Sequence, residues 1–223
     1  NFETKTSYSF NVLASDGKSS ATQAVTVSVT NENEAPTITS STAGTVSENE
    51  ATSTVIYTAA ASDVDANDTI NYSVSGTDSS LLNIDTSTGN VTLKTSADYE
   101  TKSSYSFDLV ATDAAGLTDT ETVTVSVSDV NDAPTAAALS SVFLSDANTL
   151  TIDESYLNSV INDVDAGDTL KITNVSIANS GIGSVAETST GSGSWVYTPS
   201  SVYSNTDVVL NYTVSDAAGS ADT

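Results

Sequence analysis

Aspartate and asparagine residues cluster in short loops of this 223-residue chain, and their oxygens are its most promising ligands for chemistry. The stretch Ser128–Pro134 contains Asp129, Asn131 and Asp132 and ends in a proline. Alternating valines lead into it and further predicted strands follow it, so it is interpreted as a joint between two domains. Ca2+ takes about six to eight such oxygen ligands, and proline fixes the direction of the strand that leaves the joint. The sequence therefore predicts a site for a hard cation here.

The composition excludes several classes of function. Twenty-nine acidic residues face 5 Lys and Arg, a formal charge of -24, so the chain lacks a basic surface for nucleic acid or an anionic membrane. The chain contains no cysteine, histidine or methionine. It therefore lacks the usual ligands of zinc, cannot form a disulfide framework and cannot use His-dependent catalysis. No apolar run approaches the ~18 residues of a membrane span. A negative charge of this size is typical of an acidic surface that keeps a protein soluble, as well as of a protein that binds divalent cations.

An internal repeat with a period of about 100 residues organises the chain. In each copy a segment of alternating aromatic and aliphatic residues is followed by a segment of alternating valines and then by an acidic linker that ends in Ala-Pro. The matching segments are 8–12 and 105–109, 25–29 and 123–127, and Asn31–Pro36 and Asp129–Pro134. A period of this length is typical of independent domains in a string.

Alternation of apolar residues predicts short strands throughout, and no stretch keeps the apolar period of a helix. The strands predicted for the middle repeat are Thr45–Val46, Val55–Thr58, Ile70–Val74, Leu82–Ile84, Val91–Leu93, Tyr105–Ala111 and Thr122–Ser128. The predicted fold class is all-β, with tandem Ig-like Greek-key sandwiches in an elongated string. We predict a C-terminal hairpin of a repeat at 1–34, a complete repeat at 35–132, and a repeat lacking its last strand at 133–223.

The middle repeat resembles cadherin-type repeats, in particular the cadherin-like repeats of large bacterial (RTX-type) surface adhesins. Six elements carry the resemblance, in the family's order and within one period. They are Ser47–Asn49, Asp63–Asp65, Asn83–Gly89, Asp98–Glu100, Ala111–Asp113 and Asp129–Pro134. The resemblance also covers the first hairpin well and the third domain in part.

In that family several Ca2+ ions lie at the linkers between consecutive domains, and the resemblance implies two ligand sets. The set for the later joint is Glu48, Asp98, Glu100, Asp129, Asn131, Asp132, Asp163, Asp165 and Asp216. The set for the earlier joint is Glu3, Asn33, Glu34, Asp63, Asp65 and Asp113. The earlier joint carries Asn31 where the later one has Asp129, and Glu34 where the later one has Asp132, so weaker or fewer sites are expected there.

Simpler interpretations compete with several of these assignments. An Asp-x-Asp pair in a loop is usually a turn, because aspartate bonds its own backbone there. Trp195 and Tyr197 alternate on one strand and could stack on a sugar, but core packing is favoured. Asp85–Ser87 resembles an aspartic-protease loop without its glycine or a partner loop. Two carboxylates could make a glycosidase pair, but no aromatic-lined cleft is evident.

The favoured function is a calcium-rigidified extender in a bacterial cell-surface adhesin, outside the cell. The alternative is a glycan- or protein-binding module of the same adhesin. The expected partners are the neighbouring repeats, and host-cell or biofilm ligands through other domains. No enzyme activity, nucleic-acid binding or direct membrane insertion is expected.

Overall fold

The computed structural model describes residues 1–137, 149–157, 159–178, 181–200, 208–219 and 221–222. They form two compact units, residues 1–129 and residues 130–223. Each is all-β apart from single helical turns, which confirms the predicted fold class. No helix among these residues is long and apolar enough to cross a membrane.

The first unit contains eleven strands and one 3-10 turn at Ser79–Leu81. The strands are β1 (Ser7–Ser15), β2 (Ser20–Ser28), β3 (Thr37–Ile38), β4 (Ala43–Ser47), β5 (Val55–Thr58), β6 (Ala61–Ser62), β7 (Asn71–Ser75), β8 (Leu82–Ile84), β9 (Asn90–Leu93), β10 (Ser104–Thr112) and β11 (Thr118–Ser128). All seven strands predicted for the middle repeat are present. The short strands β3 and β6, which pair with each other, were not predicted.

Two sheets enclose the core of the first unit. One has the strand order β4-β11-β10-β7, in which β4 runs parallel to β11 and the other pairs are antiparallel. The other has the order β5-β9-β8. Alternate residues of β10 and β11 are buried, as the two-residue period of a strand requires. Phe107 packs edge to face on Tyr57 with ring centroids 5.9 Å apart. Both residues belong to a single apolar core to which both sheets contribute.

The hairpin of β1 and β2 repeats the pairing of β10 and β11 without its cover. Phe10 lies opposite Val25 as Phe107 lies opposite Val123. Phe107 is 1% exposed, whereas Phe10 is 51% exposed. The same sequence pattern therefore produces the same backbone pairing in both places, while burial depends on the second sheet.

The second unit contains eight strands and one helical turn, α1 (Glu154–Leu157), among its described residues. The strands are β12 (Thr135–Ala136), β13 (Leu150–Ile152), β14 (Ile161–Asn162), β15 (Lys171–Ile177), β16 (Gly183–Glu187), β17 (Trp195–Pro199), β18 (Leu210–Ser215) and β19 (Ala221–Asp222). They form the sheets β13-β17-β16 and β15-β18-β19 and the pair β12-β14.

Aromatic and aliphatic side chains from both sheets pack together in the second unit. Tyr197 is 1% exposed and its hydroxyl donates to the carbonyl of Ile182 at 2.7 Å. Trp195 is half-buried and packs against the same core. The core interpretation of these two aromatic residues is therefore confirmed.

Candidate metal centre

The loop that follows β6 builds the acidic centre of the first unit. The amide of Asp65 donates to Oδ1 of Asp63 at 2.9 Å, the aspartate turn that the simpler interpretation predicts. Asn67 takes φ +76°, a left-handed conformation that asparagine tolerates better than most residues. The chain then turns back and the amide of Asp68 donates to the carbonyl of Asp65 at 3.3 Å. The loop therefore presents three carboxylates within six residues.

Asp113 supplies the fourth carboxylate, from the end of β10. It is 4% exposed, and its Oδ1 accepts from the amide of Leu117 at 2.8 Å. Its Oδ2 accepts from the side-chain amide of Asn33 at 2.7 Å. One oxygen each of Asp63, Asp68 and Asp113 lie within 4.8 Å of one another. We call these three residues the inner cluster of the first unit.

A second group of carboxylates forms around the linker between β2 and β3. One oxygen each of Glu3, Glu34 and Asp65 lie within 4.8 Å of one another, and we call these residues the outer cluster. The backbone amide of Glu34 donates to Oδ2 of Asp65 at 2.9 Å. The side-chain amide of Asn31 donates to Oδ1 of Asp65 at 2.7 Å. All six ligands predicted for the earlier joint therefore lie in or beside these two clusters.

The second unit repeats the inner cluster residue for residue. One oxygen each of Asp163, Asp168 and Asp216 lie within 4.8 Å of one another. Oδ2 of Asp216 accepts from the side-chain amide of Asn131 at 2.8 Å, as Asp113 accepts from its linker asparagine. Gly167, with φ +101°, stands where the first unit has the left-handed asparagine.

The linker of the second unit also reaches the Asp-x-Asp loop. The amide of Asp132 donates to Oδ2 of Asp165 at 2.7 Å. The amide of Asp165 donates to Oδ1 of Asp163 at 3.0 Å. The five ligands predicted from this unit for the later joint therefore lie together.

The remaining predicted ligands of the later joint belong to the first unit. Glu48 is 3% exposed, and its Oε2 accepts from the amide of Tyr99 at 2.7 Å, beside Asp98 and Glu100. The amide of Glu48 donates to the carbonyl of Ser128 at 3.1 Å, the residue before Asp129. The carboxylate of Asp98 accepts from the amide and hydroxyl of Thr101 at 2.9 and 2.8 Å. That these residues share cations with the second unit stays a prediction.

Sequence analysis missed Asp68 and Asp168, the third carboxylates of the two inner clusters. Both follow the Asp-x-Asp pair by three residues in segments that repeat each other, 63–69 and 163–169. The shared aspartate was therefore a usable signal. Its role depends on how the intervening turn folds back, which spacing alone does not reveal.

Buried carboxylate oxygens without donors show that the inner clusters suit a cation. Oδ2 of Asp63, Asp68, Asp163 and Asp168 is inaccessible to solvent and accepts no hydrogen bond from the described residues. A buried acceptor without a donor is costly. The oxygen-only donor set is the one that Ca2+ prefers, and Ca2+ accepts irregular geometry that Mg2+ does not. The residues present therefore fit a bound Ca2+.

The pKa values respond to the crowding of negative charge. Burial raises the pKa of Asp68, and the charges of Asp63 and Asp113 raise it further. Burial and the charge of Asp163 do the same for the pKa of Asp168. By contrast, the hydrogen bonds from Asn31 and from the amide of Glu34 lower the pKa of Asp65.

These shifts predict how the metal-free chain responds to pH. Folding raises the pKa of Asp68 and Asp168. Between neutral pH and the ordinary pKa range of aspartate, the folded chain therefore binds more protons than the unfolded chain. Its stability should therefore rise as the pH falls from neutrality toward the ordinary pKa range of aspartate. Below about pH 4 the trend should reverse, because the lowered pKa of Asp65 and similar carboxylates then dominates. Thermal melts in EDTA would measure this. The double variant Asp68→Asn/Asp168→Asn should flatten the rise, and an unchanged slope in it would contradict the assignment.

Comparisons with known proteins identify the family of the domains. Residues 42–128 match the family model of the cadherin domain, and residues 130–223 match that of the cadherin-like domain. Human protocadherin beta-1 is 37% identical over 102 residues, which cover 44% of this chain and 12% of that protein. Human protocadherin Fat 4 is 31% identical over 172 residues, which cover 72% of this chain and 4% of that protein.

Solved cadherin structures share the fold. Domains EC22-24 of mouse cadherin-23 align over 99% of this chain and 73% of theirs, with a TM-score of 0.62 and 23% identity. The protocadherin GammaB4 extracellular domain aligns over 100% of this chain and 37% of its own, with a TM-score of 0.60 and 20% identity. At these identities the structural likeness shows the fold alone.

The chain is therefore made of tandem domains that belong to the cadherin and cadherin-like families. Such domains are extracellular adhesion modules rather than enzymes, and they generally bind Ca2+. The cadherin resemblance seen in the sequence is confirmed in this general form. The two human relatives are of the protocadherin and Fat type, not bacterial RTX adhesins.

Proposed function

We propose that the acidic loops of both units bind Ca2+ and that the domains act as calcium-stiffened spacers in a long cell-surface adhesion protein. One observation carries the proposal. The chain builds the same three-carboxylate cluster twice, each time beside a linker asparagine, and leaves two buried carboxylate oxygens in each without a donor among the described residues.

The residues that would hold the cations follow from the clusters. In the first unit they are Asp63, Asp68 and Asp113, with Glu3, Glu34, Asp65 and Asn33 around them. In the second unit they are Asp163, Asp168 and Asp216, with Asp132, Asp165 and Asn131. A bound Ca2+ supplies the positive charge that offsets repulsion among these carboxylates.

Stiffness would come from the linkers, whose residues reach the clusters. Asn33 contacts Asp113, and Glu34 contacts Asp65. A ligand set that spans a linker and a loop ties the linker to the domain that follows. Domains joined by small contacts otherwise move relative to each other by default. We extend the proposal to the later joint on the family resemblance, with Glu48, Asp98, Glu100 and Asp129 as further ligands.

For the whole protein, a bacterial surface adhesin in contact with host or biofilm ligands remains our proposal. It rests on the Ser-, Thr-, Asp- and Val-rich composition and on the linker Asp129–Pro134. The chain spans 12% and 4% of the lengths of the two human relatives.

Calcium should raise the thermal stability of the chain. Extracellular calcium modules bind at roughly 10⁻⁴ to 10⁻³ M, and a ligand at ten times its dissociation constant adds about 1.4 kcal/mol per independent site. The melting midpoint should therefore rise when CaCl2 is added at about 10 mM and fall again with EDTA. Equimolar MgCl2 is the matched control, and it should give a clearly smaller shift because Mg2+ demands regular octahedral geometry. An unchanged midpoint in calcium would reject the proposal.

A further inference from the structure

The two linkers share two contacts with the domains that follow them. Asn33 donates to Asp113 at 2.7 Å as Asn131 donates to Asp216 at 2.8 Å. The next backbone amide donates to the second aspartate of the Asp-x-Asp pair at 2.9 Å in the first unit and 2.7 Å in the second. The linkers differ in chemical character at their first position, Asn31 against Asp129, and at their second, Glu32 against Val130. The first position matters here because its side chain contacts the Asp-x-Asp loop in the first unit.

Asn31 uses a contact that an aspartate there cannot make. Its side-chain amide donates to Oδ1 of Asp65 at 2.7 Å. An ionised carboxylate has no proton to donate, and beside Asp65 it would add repulsion unless a cation lay between them. With the amide of Glu34 on Oδ2, both oxygens of Asp65 accept protein donors. Oδ2 of Asp63 and of Asp68, in the inner cluster, accepts none from the described residues.

We propose that Asn31 is the residue that sets how many cations the first linker binds. Its hydrogen bond to Asp65 fastens the linker to the Asp-x-Asp loop without metal, and it replaces a carboxylate ligand with a neutral amide. The inner cluster still needs a cation, whereas the outer cluster is partly satisfied by protein donors. This inference rests on the proposed calcium function for the ion count, but the metal-free contact is independent of it.

Three variants of the full chain separate these two roles. Asn31→Ala removes the donor without adding charge, and Asn31→Asp removes the donor and adds a ligand. Asn11→Asp, at an exposed position of β1, makes the same substitution in the same unit but outside the linker, and is the matched control.

The first measurement is amide hydrogen exchange of residues 30–36 in EDTA. Loss of an exposed hydrogen bond to a charged group should speed exchange about fivefold in both Asn31 variants, while Asn11→Asp stays like wild type. Exchange in Asn31→Ala equal to that of wild type would overturn the metal-free contact.

The second measurement is equilibrium dialysis with radioactive calcium at about 10 mM. Asn31→Asp should bind one ion more per chain than wild type, and Asn31→Ala and Asn11→Asp should bind no more than wild type. An unchanged count in Asn31→Asp would overturn the role in ion number. If wild type binds no calcium at all, the proposed function fails, while the exchange experiment still decides whether Asn31 holds the linker.

Discussion

Calcium affinity at the inner cluster of the first unit is expected to fall about tenfold or more when Asp68 is changed to asparagine. The substitution keeps the size and one oxygen of the side chain but removes one of three charges. Calcium affinity follows the number of charged ligands, and each loss of about 1.4 kcal/mol corresponds to a factor of ten. Because Asp68 Oδ2 has no donor among the described residues, the substitution breaks no hydrogen bond from them to that oxygen.

Isothermal titration with CaCl2 would measure this loss. Asp85→Asn is the matched control, because Asp85 is an exposed turn aspartate whose carboxylate accepts from the amides of Ser87 and Thr88. It removes the same charge elsewhere in the same unit and should leave the titration unchanged. Asp168→Asn should weaken binding to the second unit by a similar factor. Equal calcium affinities for wild type and Asp68→Asn would mean that Asp68 lies beside the site without being a ligand.

Phe107→Ala should lower the free energy of unfolding by about 3–5 kcal/mol, the cost of removing a fully buried aromatic side chain. Phe107 packs edge to face on Tyr57 between the two sheets. Phe10→Ala deletes the same atoms at the equivalent position of the β1-β2 hairpin, where half of the side chain is exposed. It should change the stability by no more than about 0.5 kcal/mol.

Urea denaturation followed by circular dichroism would compare the two variants. The two variants have the same composition. The difference between their free energies of unfolding therefore measures the contribution of burial against the second sheet. Similar losses in both would show that the hairpin face is buried in solution, and would contradict the exposure that the structure gives to Phe10.

Strand positions were predictable because the burial pattern repeats every second residue. The valines of β11 and the aromatic residues of β10 mark buried faces directly. The observed ends of the strands in the middle repeat lie within four residues of the predicted ones. The strands β3 and β6 were missed because two residues cannot display a period. The apolar pattern around Phe10 does not distinguish it from Phe107, but the interpretation of 1–34 as a hairpin without the rest of its repeat predicts its exposure.

The candidate site was predictable where short motifs carry it. Asp63, Asp65 and Asp113 were predicted as ligands from the family resemblance, and the structure brings each to a cluster of carboxylates. Asp68 was missed because a turn with a left-handed residue at Asn67 brings it back toward Asp63. The contact between Asn31 and Asp65 was also unpredictable, because it depends on a side-chain rotation that joins residues far apart in the chain.

The parallel pairing of β4 and β11 has a mechanical consequence. The two strands run side by side through five residue pairs, from Ala43 and Thr124 to Ser47 and Ser128. Tension along the chain would pull on the first residue of β4 and on the last residue of β11, in opposite directions. The two strands would therefore slide past each other. All the hydrogen bonds of the ladder would then share the load at once. In the antiparallel hairpin β1-β2 both free ends leave from the same side, and tension there would peel the bonds one after another. Forced unfolding is governed by the rate of crossing the barrier, so the repeat closed by β4 and β11 is expected to withstand pulling far longer than the hairpin.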